Sequence, residues 1–313
     1  MANLKELCKK EELFTGGHRL CAGCGAGAIA RQALMAANGP VVVTSATGCL
    51  EVSTTIFPYS SWKTSFFHSA FENSAASCSG IEAAYRSLKK QGKIKEDIKF
   101  IAFGGDGGTY DIGLQSLSGA MERKHKFLYI CYNNEAYMNT GIQRSGATPR
   151  GAHTTTAPTG KVKQGKEQFR KDLTEIMVAH GVPYVAQATV GNSMDFINKV
   201  EKALATDGPS FINCLQPCRL GWAYPPETTM SLARLAVETC MWPIYEVING
   251  QYKINSKPKE KKPVAEFLKV QGRFKHLFKP GNESILEEIQ NEVDARWAKL
   301  LKLESCFGQT AAK

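Results

Sequence analysis

Residues 100–140 read FIAFGGDGGTYDIGLQSLSGAMERKHKFLYICYNNEAYMNT, and this stretch decides the fold. One apolar run, 98–103, ends in the glycine-flanked Asp106, and a second run, 127–132, ends in Asn133 and Asn134. Because a helix-compatible segment separates the two runs, the pattern predicts two parallel strands with a helical crossover. Ligands bind at the carboxyl edge of such a sheet, so the acid and the amides are candidate ligand-binding residues.

The alternation of strands and helices continues on both sides of this stretch. Strands are predicted at 40–45, 184–188 and 210–215, and helices at 26–37, 69–91, 171–180 and 192–205. The pattern predicts an α/β fold with a doubly wound, mostly parallel sheet. Residues 53–67 are predicted to form a loop, and residues 141–165 a second loop whose length is typical of functional segments.

A change of pattern near residue 226 divides the chain into two predicted parts. Residues 1–225 are expected to form the main domain. Residues 226–313 are expected to form a C-terminal arm of a helix, a hairpin and a closing helix, with Asn249 and Gly250 as the hairpin turn. We expect this arm to pack on the main domain or on a neighbouring chain.

Composition restricts the classes of function. Among 313 residues there are 39 Lys and Arg against 29 Asp and Glu, which gives a formal net charge of +10. The basic stretches 161–171 and 251–313 lack the interleaved aromatic residues of a nucleic-acid surface, so a solvated face or an anionic protein partner is favoured. No apolar run approaches the ~20 residues of a membrane span, and the charged N-terminus does not resemble a signal peptide. We expect a cytoplasmic protein that binds neither nucleic acid nor membrane.

The cysteines favour a metal or cluster site over disulfides, because the chain is expected to be cytoplasmic. Cys21, Cys24 and Cys49 lie in glycine-containing loops, and Cys218 follows the predicted strand 210–215. Loops after parallel strands gather at one edge, where four thiolates could bind Zn²⁺ or an iron–sulfur cluster. The alternative is that only Cys21 and Cys24 lie together and the others are buried apolar side chains.

Asp106 and the two asparagines have the chemistry of a magnesium–phosphate site. Mg²⁺ prefers hard oxygen ligands that it shares with the phosphate oxygens of a bound ligand. Gly105 and Gly107 permit a close approach and leave backbone N–H groups free for phosphate. A plain turn is the alternative, since Gly-Asp-Gly is common by itself. The stretch contains neither the Rossmann nor the Walker signature.

Together these motifs resemble those of the β subunits of 2-oxoacid:ferredoxin oxidoreductases, and most closely the pyruvate type. The resemblance covers nearly the whole chain from about residue 18. The Gly-Asp-Gly and Asn-Asn pair is similar to the thiamine-diphosphate motif of that family. The other matching stretches are GHRLCAGCG (17–25), ATGCLE (46–51), GGTYDIGLQSLSGA (107–120), NNEAYMNTG (133–141) and QPC (216–218).

The resemblance implies the thiamine-diphosphate-binding fold and assigns roles to individual residues. Asp106 and Asn134 would hold Mg²⁺ through their side chains, joined by the backbone carbonyl of Ala136. Asn139 would face the reacting centre of thiamine diphosphate as the catalytic residue. The remaining implied contacts with thiamine diphosphate are Gly48, Cys49, Gly105 and Gly107, and the implied ligands of one 4Fe–4S cluster are Cys21, Cys24, Cys49 and Cys218.

The resemblance also implies a subunit that works only within a complex. A ferredoxin-like subunit and a pyrimidine-type domain are expected from partner subunits, because the sequence contains neither. The implied reaction converts a 2-oxo acid, foremost pyruvate, into acetyl-CoA and CO₂ with electrons passed to ferredoxin.

Three alternatives stay open at this point. The first is a β subunit that oxidises oxalate to CO₂ without coenzyme A. The second is a non-redox thiamine-diphosphate enzyme subunit with a structural Zn²⁺ in the four-cysteine site. The third is a basic zinc protein that binds nucleic acid.

Overall fold

A single eight-stranded sheet forms the centre of the computed structural model, which describes residues 3–308. The outer ends of both predicted parts, residues 1–2 and 309–313, lie outside the described residues. Strand order in the sheet is β2-β1-β3-β4-β6-β5-β7-β8. The strands are β1 (Val41–Ala46), β2 (Ser65–Ser69), β3 (Lys99–Gly105), β4 (Leu128–Asn133), β5 (Tyr184–Thr189), β6 (Ser210–Leu215), β7 (Tyr245–Ile248) and β8 (Gln251–Ile254).

The first six strands are parallel, and the antiparallel pairings are those of β7, with β5 on one side and β8 on the other. This arrangement confirms the predicted α/β class with a mostly parallel sheet. Every residue of β4, β5 and β6 is buried, as expected for central strands that are covered on both faces. The hairpin of β7 and β8 extends the main sheet, because β7 pairs with β5.

Helices cover both faces of the sheet. The α-helices are α1 (Leu4–Leu7), α2 (Ala26–Ala36), α3 (Cys49–Thr54), α4 (Ser74–Lys90), α5 (Leu114–Glu122), α6 (Leu173–Ala179), α7 (Ser193–Ala205), α8 (Arg219–Trp222), α9 (Thr229–Glu238), α10 (Val264–Lys269) and α11 (Glu283–Phe307). A π-helix spans Gly107–Ile112, and 3₁₀-helices span Pro226–Thr228 and Gly272–Phe278. Within residues 3–308, no helix is both long enough and apolar enough to cross a membrane.

The side chains of each strand alternate between two cores. In β3, Ile101 and Phe103 pack in the core that contains α2 and α7. Phe100 and Ala102 point the other way, into the core that contains α4 and α5. This period of two is the geometric reason that residues 100–103 of the apolar run are all buried, on alternating faces of the sheet.

A third core joins the C-terminal elements to the main sheet. Trp222 of α8, Phe267 of α10 and Phe274 of the 3₁₀-helix pack there with residues of α9 and α11. This packing brings the C-terminal part of the chain to the carboxyl edge of the central strands.

Parts of the structure differ from the prediction. The predicted loop 53–67 contains most of β2, an edge strand whose side chains are largely exposed. Its pattern is too polar to predict a strand, and pairing with β1 is what defines it. The α10 helix and the 3₁₀-helix that follows it were also not predicted.

Candidate cofactor site at the carboxyl edge

Four loops that carry the predicted site residues lie at one edge of the sheet. They follow β1, β3, β4 and β6, which are adjacent and parallel. Within three residues of the strand ends these loops carry Cys49, Asp106, Asn134 and Cys218. Parallel strands place all their carboxyl ends on the same side, so the prediction that these loops meet follows from the topology.

Asp106 is a buried carboxylate with fixed partners. Its Oδ2 accepts a hydrogen bond from Ser145 Oγ at 2.5 Å, and its Oδ1 accepts one from the Asn134 backbone N–H at 3.2 Å. Burial raises the pKa of Asp106 to about 7, although both of these hydrogen bonds oppose the rise. A buried carboxylate without a matching cation is costly, and this points to a positively charged ligand at Asp106.

Three polar groups converge at this position. One terminal atom of the Asn134 amide lies 2.8 Å from both Asp106 Oδ1 and the Ala136 carbonyl oxygen. In the chain alone this atom is the amide nitrogen, which donates to both oxygens. Rotation of the amide would instead turn its oxygen toward them, and a set of three such oxygens fits Mg²⁺.

The two adjacent asparagines have different roles. Asn133 Nδ2 donates to the Tyr110 hydroxyl at 3.0 Å, and Asn133 Oδ1 accepts from the Glu135 backbone N–H at 3.0 Å. The Tyr110 hydroxyl also accepts a hydrogen bond from Asn213 at 2.7 Å. Asn133 therefore fixes the end of β4 inside the protein, and Asn134 is the asparagine that faces Asp106.

Every residue predicted to contact the cofactor, from Gly48 to Asn139, lines one pocket at this edge. Glycine is required at several of these positions because neighbours approach the backbone closely. A Cβ at Gly48 would lie 2.4 Å from the Tyr132 hydroxyl, and one at Gly107 would lie 2.4 Å from the Tyr137 ring. Asn139 is exposed at the rim of the pocket.

The four predicted cysteine ligands gather next to this pocket. Cys21 and Cys24 form one turn, in which the Cys24 N–H donates to the Cys21 carbonyl at 2.9 Å. Cys49 begins α3, and Cys218 immediately precedes α8. Gln216 Nε2 donates to Cys24 Sγ at 3.6 Å, which links the QPC stretch to the Cys21–Cys24 turn.

Electrostatic effects between the thiols agree with this grouping. Burial is the main cause that raises the pKa of Cys24 to about 11 and that of Cys49 to about 12. The Cys218 and Cys21 thiols raise both of these pKa values further. As placed in residues 3–308, no three His, Cys, Asp or Glu side chains surround a single ion position. The thiols are grouped in one region but are not closed around one ion.

A buried ion network supports the site and was not predicted from the sequence. Glu135 is 1% exposed and pairs with Arg273 and Arg170. Lys166 is buried and donates to the carbonyls of residues 145, 146 and 148. The interpretation of 161–171 as a solvated face is therefore wrong for Lys166, whose pKa burial lowers to about 8. One indication of this buried network was present in the sequence, the basic stretch 161–171 at the end of the long predicted loop.

Comparisons with known proteins agree with this geometry. Residues 46–214 match the family model described as thiamine pyrophosphate enzyme, C-terminal TPP binding domain. The chain is 54% identical to pyruvate synthase subunit PorB of Thermotoga maritima over 96% of both chains. It is also 54% identical to PorB of Methanocaldococcus jannaschii, over 94% of this chain and 98% of that relative.

A solved structure shares the fold. It is a 2-oxoglutarate:ferredoxin oxidoreductase from Magnetococcus marinus with 2-oxoglutarate, coenzyme A and succinyl-CoA bound. It matches with a TM-score of 0.56 and 18% identity over 72% of this chain and 81% of that chain. A likeness at 18% identity shows the fold alone, whereas 54% identity to the PorB subunits over nearly the whole chain shows the family. The chain therefore belongs to the PorB family of pyruvate synthase subunits, the β subunits of 2-oxoacid:ferredoxin oxidoreductases, and is a subunit of an oxidoreductase.

Proposed function

We propose that this chain binds thiamine diphosphate, Mg²⁺ and one 4Fe–4S cluster. Within a complex it acts in the oxidative decarboxylation of pyruvate to acetyl-CoA and CO₂, with electrons passed to ferredoxin. The name of the PorB relatives supports pyruvate as the 2-oxo acid. The match to the C-terminal domain of thiamine pyrophosphate enzymes supports thiamine diphosphate as the organic cofactor.

The observation that carries the proposal is the convergence of the Asp106 carboxylate, the Asn134 amide and the Ala136 carbonyl. In the proposal these three groups hold Mg²⁺, and the ion binds the diphosphate. Gly105 and Gly107 let the diphosphate approach the backbone at the start of the π-helix. Ser145 keeps the Asp106 carboxylate oriented, because it donates to the oxygen that does not face Asn134.

Thiamine diphosphate, when bound, supplies a thiazolium ring that accepts the electron pair left as CO₂ departs from a 2-oxo acid. This chain contributes the surroundings. Asn139 lines the rim of the pocket, where a polar amide can contact the substrate or the reacting centre. Tyr137 stacks on Phe71 with ring centroids 5.7 Å apart, and the pair closes the side of the pocket at Gly107.

The four thiols of Cys21, Cys24, Cys49 and Cys218 are the proposed ligands of the 4Fe–4S cluster. Cys49 also lines the pocket, next to Gly48. A residue shared by the two sites keeps the cluster close to the organic cofactor. This proximity suits the transfer of single electrons out of the pocket.

Partner subunits complete the proposed active complex. They supply the pyrimidine-type domain with its activating carboxylate and the ferredoxin-like subunit that carries electrons to ferredoxin. In this view residues 1–225 form the cofactor-binding part, and residues 226–313 support it or contact those subunits.

The test is a reduction assay on the whole complex, purified without oxygen. A viologen or ferredoxin is the acceptor, and pyruvate, other 2-oxo acids and oxalate are offered with and without coenzyme A. We expect the fastest reduction with pyruvate plus coenzyme A. Reduction by oxalate independent of coenzyme A, or preference for another 2-oxo acid, would refute the substrate assignment. A colourless complex that carries zinc and reduces no acceptor would refute the redox function.

A further inference from the structure

Glu135 lies between the two proposed Mg²⁺-binding residues Asn134 and Ala136, in an unusual backbone conformation. Its φ angle is 66°, in the left-handed region that is uncommon for residues other than glycine. Its carboxylate is fully buried and accepts hydrogen bonds from Arg273 Nη2 at 2.5 Å and from Arg170 Nη1 at 3.3 Å. The ion pairs therefore hold the turn that presents the magnesium ligands in its strained form.

Arg273 contacts the same turn by a second route. Its guanidinium stacks on the Trp222 ring at 3.8 Å, and its Nε donates to Gln271 at 2.9 Å. The indole Nε1–H of Trp222 donates to the Asn134 carbonyl oxygen at 2.8 Å. Arg273 and Trp222 together thus hold both the Glu135 side chain and the Asn134 backbone.

The same pair is bound to the loop of the proposed cluster ligand Cys218. The Trp222 N–H donates to the Cys218 carbonyl at 2.9 Å, and the Gly272 N–H donates to the Ala223 carbonyl at 3.1 Å. Because the Arg273 guanidinium stacks on Trp222, whose backbone N–H is bonded to Cys218, its positive charge lies beside the Cys218 loop.

We propose that Arg273 is a positioning residue that couples the two cofactor sites. Through Glu135 and Trp222 it fixes the turn that carries the magnesium ligands. Through its charge it stabilises the reduced, more negative state of the cluster beside Cys218. The inference rests on the proposed function, because it needs both cofactors to be bound.

Arg170 provides a matched control. It also pairs with Glu135, and it stacks on Trp242 at 4.9 Å. Its Nη2 also donates to the Met241 carbonyl, so its side-chain contacts other than Glu135 are with residues 241–242 and not with α8. Arg170 therefore shares the contact with the magnesium turn without the contact with the cluster loop.

The experiment compares Arg273→Gln, Arg273→Lys and Arg170→Gln in the complete anaerobic complex. One readout is the affinity for thiamine diphosphate with Mg²⁺ after removal of the ion by a chelator. The other is the midpoint potential of the cluster in this subunit, followed by its electron paramagnetic resonance signal. Circular dichroism and iron content establish that each variant is folded and loaded.

We expect Arg273→Gln to weaken cofactor affinity about 10–100-fold and to shift the midpoint potential to a more negative value. Arg170→Gln should weaken affinity and leave the potential unchanged. Arg273→Lys keeps the charge but loses the planar contact with Trp222, so affinity should fall while the potential stays close to the wild-type value. If Arg273→Gln does not fold, Arg273→Lys tests the positioning role of Arg273 through its cofactor affinity.

Wild-type values of both affinity and potential in Arg273→Gln would overturn the inference, as would a potential shift of equal size in Arg170→Gln. If Arg273→Gln does not fold, wild-type affinity in Arg273→Lys overturns it. A wild-type complex without iron or thiamine diphosphate in this subunit would instead refute the proposed function, and the inference with it.

Discussion

The individual residues at the site divide into those that contact the proposed cofactors and those that hold them in place. Asp106, Asn134 and Ala136 direct polar groups at one point. Ser145 donates to the Asp106 carboxylate, and the buried Glu135, between Asn134 and Ala136, pairs with Arg273. The first group follows from the order of residues along the chain. The second group is assembled by the fold, since Arg273 lies 138 residues from Glu135.

Replacement of the central carboxylate should remove the anchor for the diphosphate. We predict that Asp106→Ala abolishes retention of thiamine diphosphate and leaves the iron content unchanged, because the thiols come from other loops. Thiamine and iron analysis of the purified complex measures both quantities. The control is Asp97→Ala, since Asp97 precedes β3 at the opposite edge and its side chain is 70% exposed. Full thiamine diphosphate in Asp106→Ala would contradict the assignment.

The hydrogen bond from Ser145 should have a smaller effect. Loss of the Ser145 hydroxyl frees Asp106 Oδ2 to rotate away from the proposed ion. We predict about tenfold weaker binding of thiamine diphosphate with Mg²⁺ in Ser145→Ala, as is usual for residues that orient a metal ligand. Isothermal titration of the chelator-treated complex provides the affinity. An unchanged affinity would remove Ser145 from the site.

At the scale of elements, the loops after the parallel strands explain the site. The runs that form β3, β4 and β6 were predictable, because a short apolar run between polar or glycine-containing segments is a strong local pattern. The edge strand β2 was not predictable, since its exposed residues are ordered by pairing with β1. The π-helix at Gly107–Ile112 was predicted only as a helix, because its wider turn depends on the contacts of its two first glycines.

The first turn of the π-helix allows a direct test. A Cβ at Gly107 would lie 2.4 Å from the Tyr137 ring, which must then move into the pocket or away from it. We predict that Gly107→Ala lowers the affinity for thiamine diphosphate at least tenfold without loss of iron. The control, Gly80→Ala, has open space around the new Cβ and lies in α4, where alanine should stabilise the helix by about 0.5–1 kcal/mol. Equal affinities in the two variants would contradict the assignment of the pocket.

The loop after β6 provides the fourth proposed cluster ligand. We predict that Cys218→Ser lowers the iron content and blocks electron transfer to ferredoxin. Cys306→Ser is the control, because Cys306 is exposed on α11. Iron analysis and the ferredoxin assay distinguish the outcomes. A full iron complement in Cys218→Ser would mean that another cysteine is the fourth ligand.

At the scale of the whole molecule, the α/β class and the edge that carries the site were predictable, and the role of the C-terminal part was not. The class follows from alternating strand and helix patterns along 40–215. The C-terminal elements reach the site through the third core, which joins Trp222 to Phe267 and Phe274, and through the ion pair of Arg273 with Glu135. No local pattern encodes a contact between residues so far apart in sequence. The proposed cofactor and cluster ligands were predicted from the resemblance to the oxidoreductase β subunits. The residues that hold those ligands in place, such as Arg273 and Glu135, were recognised only from the structure.

The chain should also be inactive by itself. We predict that the isolated chain reduces neither ferredoxin nor a viologen with pyruvate and coenzyme A, and that addition of the partner subunits restores reduction. The reason is that the activating carboxylate and the electron-carrying clusters are expected on those subunits. Turnover by the isolated chain would contradict this division of roles.

The central claim is that one chain holds a 4Fe–4S cluster next to a thiamine-diphosphate anchor. The most direct measurement is the content of iron, acid-labile sulfide, zinc and thiamine diphosphate in this subunit, isolated without oxygen. We predict about four iron and four sulfide per chain, about one thiamine diphosphate and no zinc, with a brown colour that bleaches on reduction. A colourless chain that contains one zinc ion and no sulfide would contradict the claim.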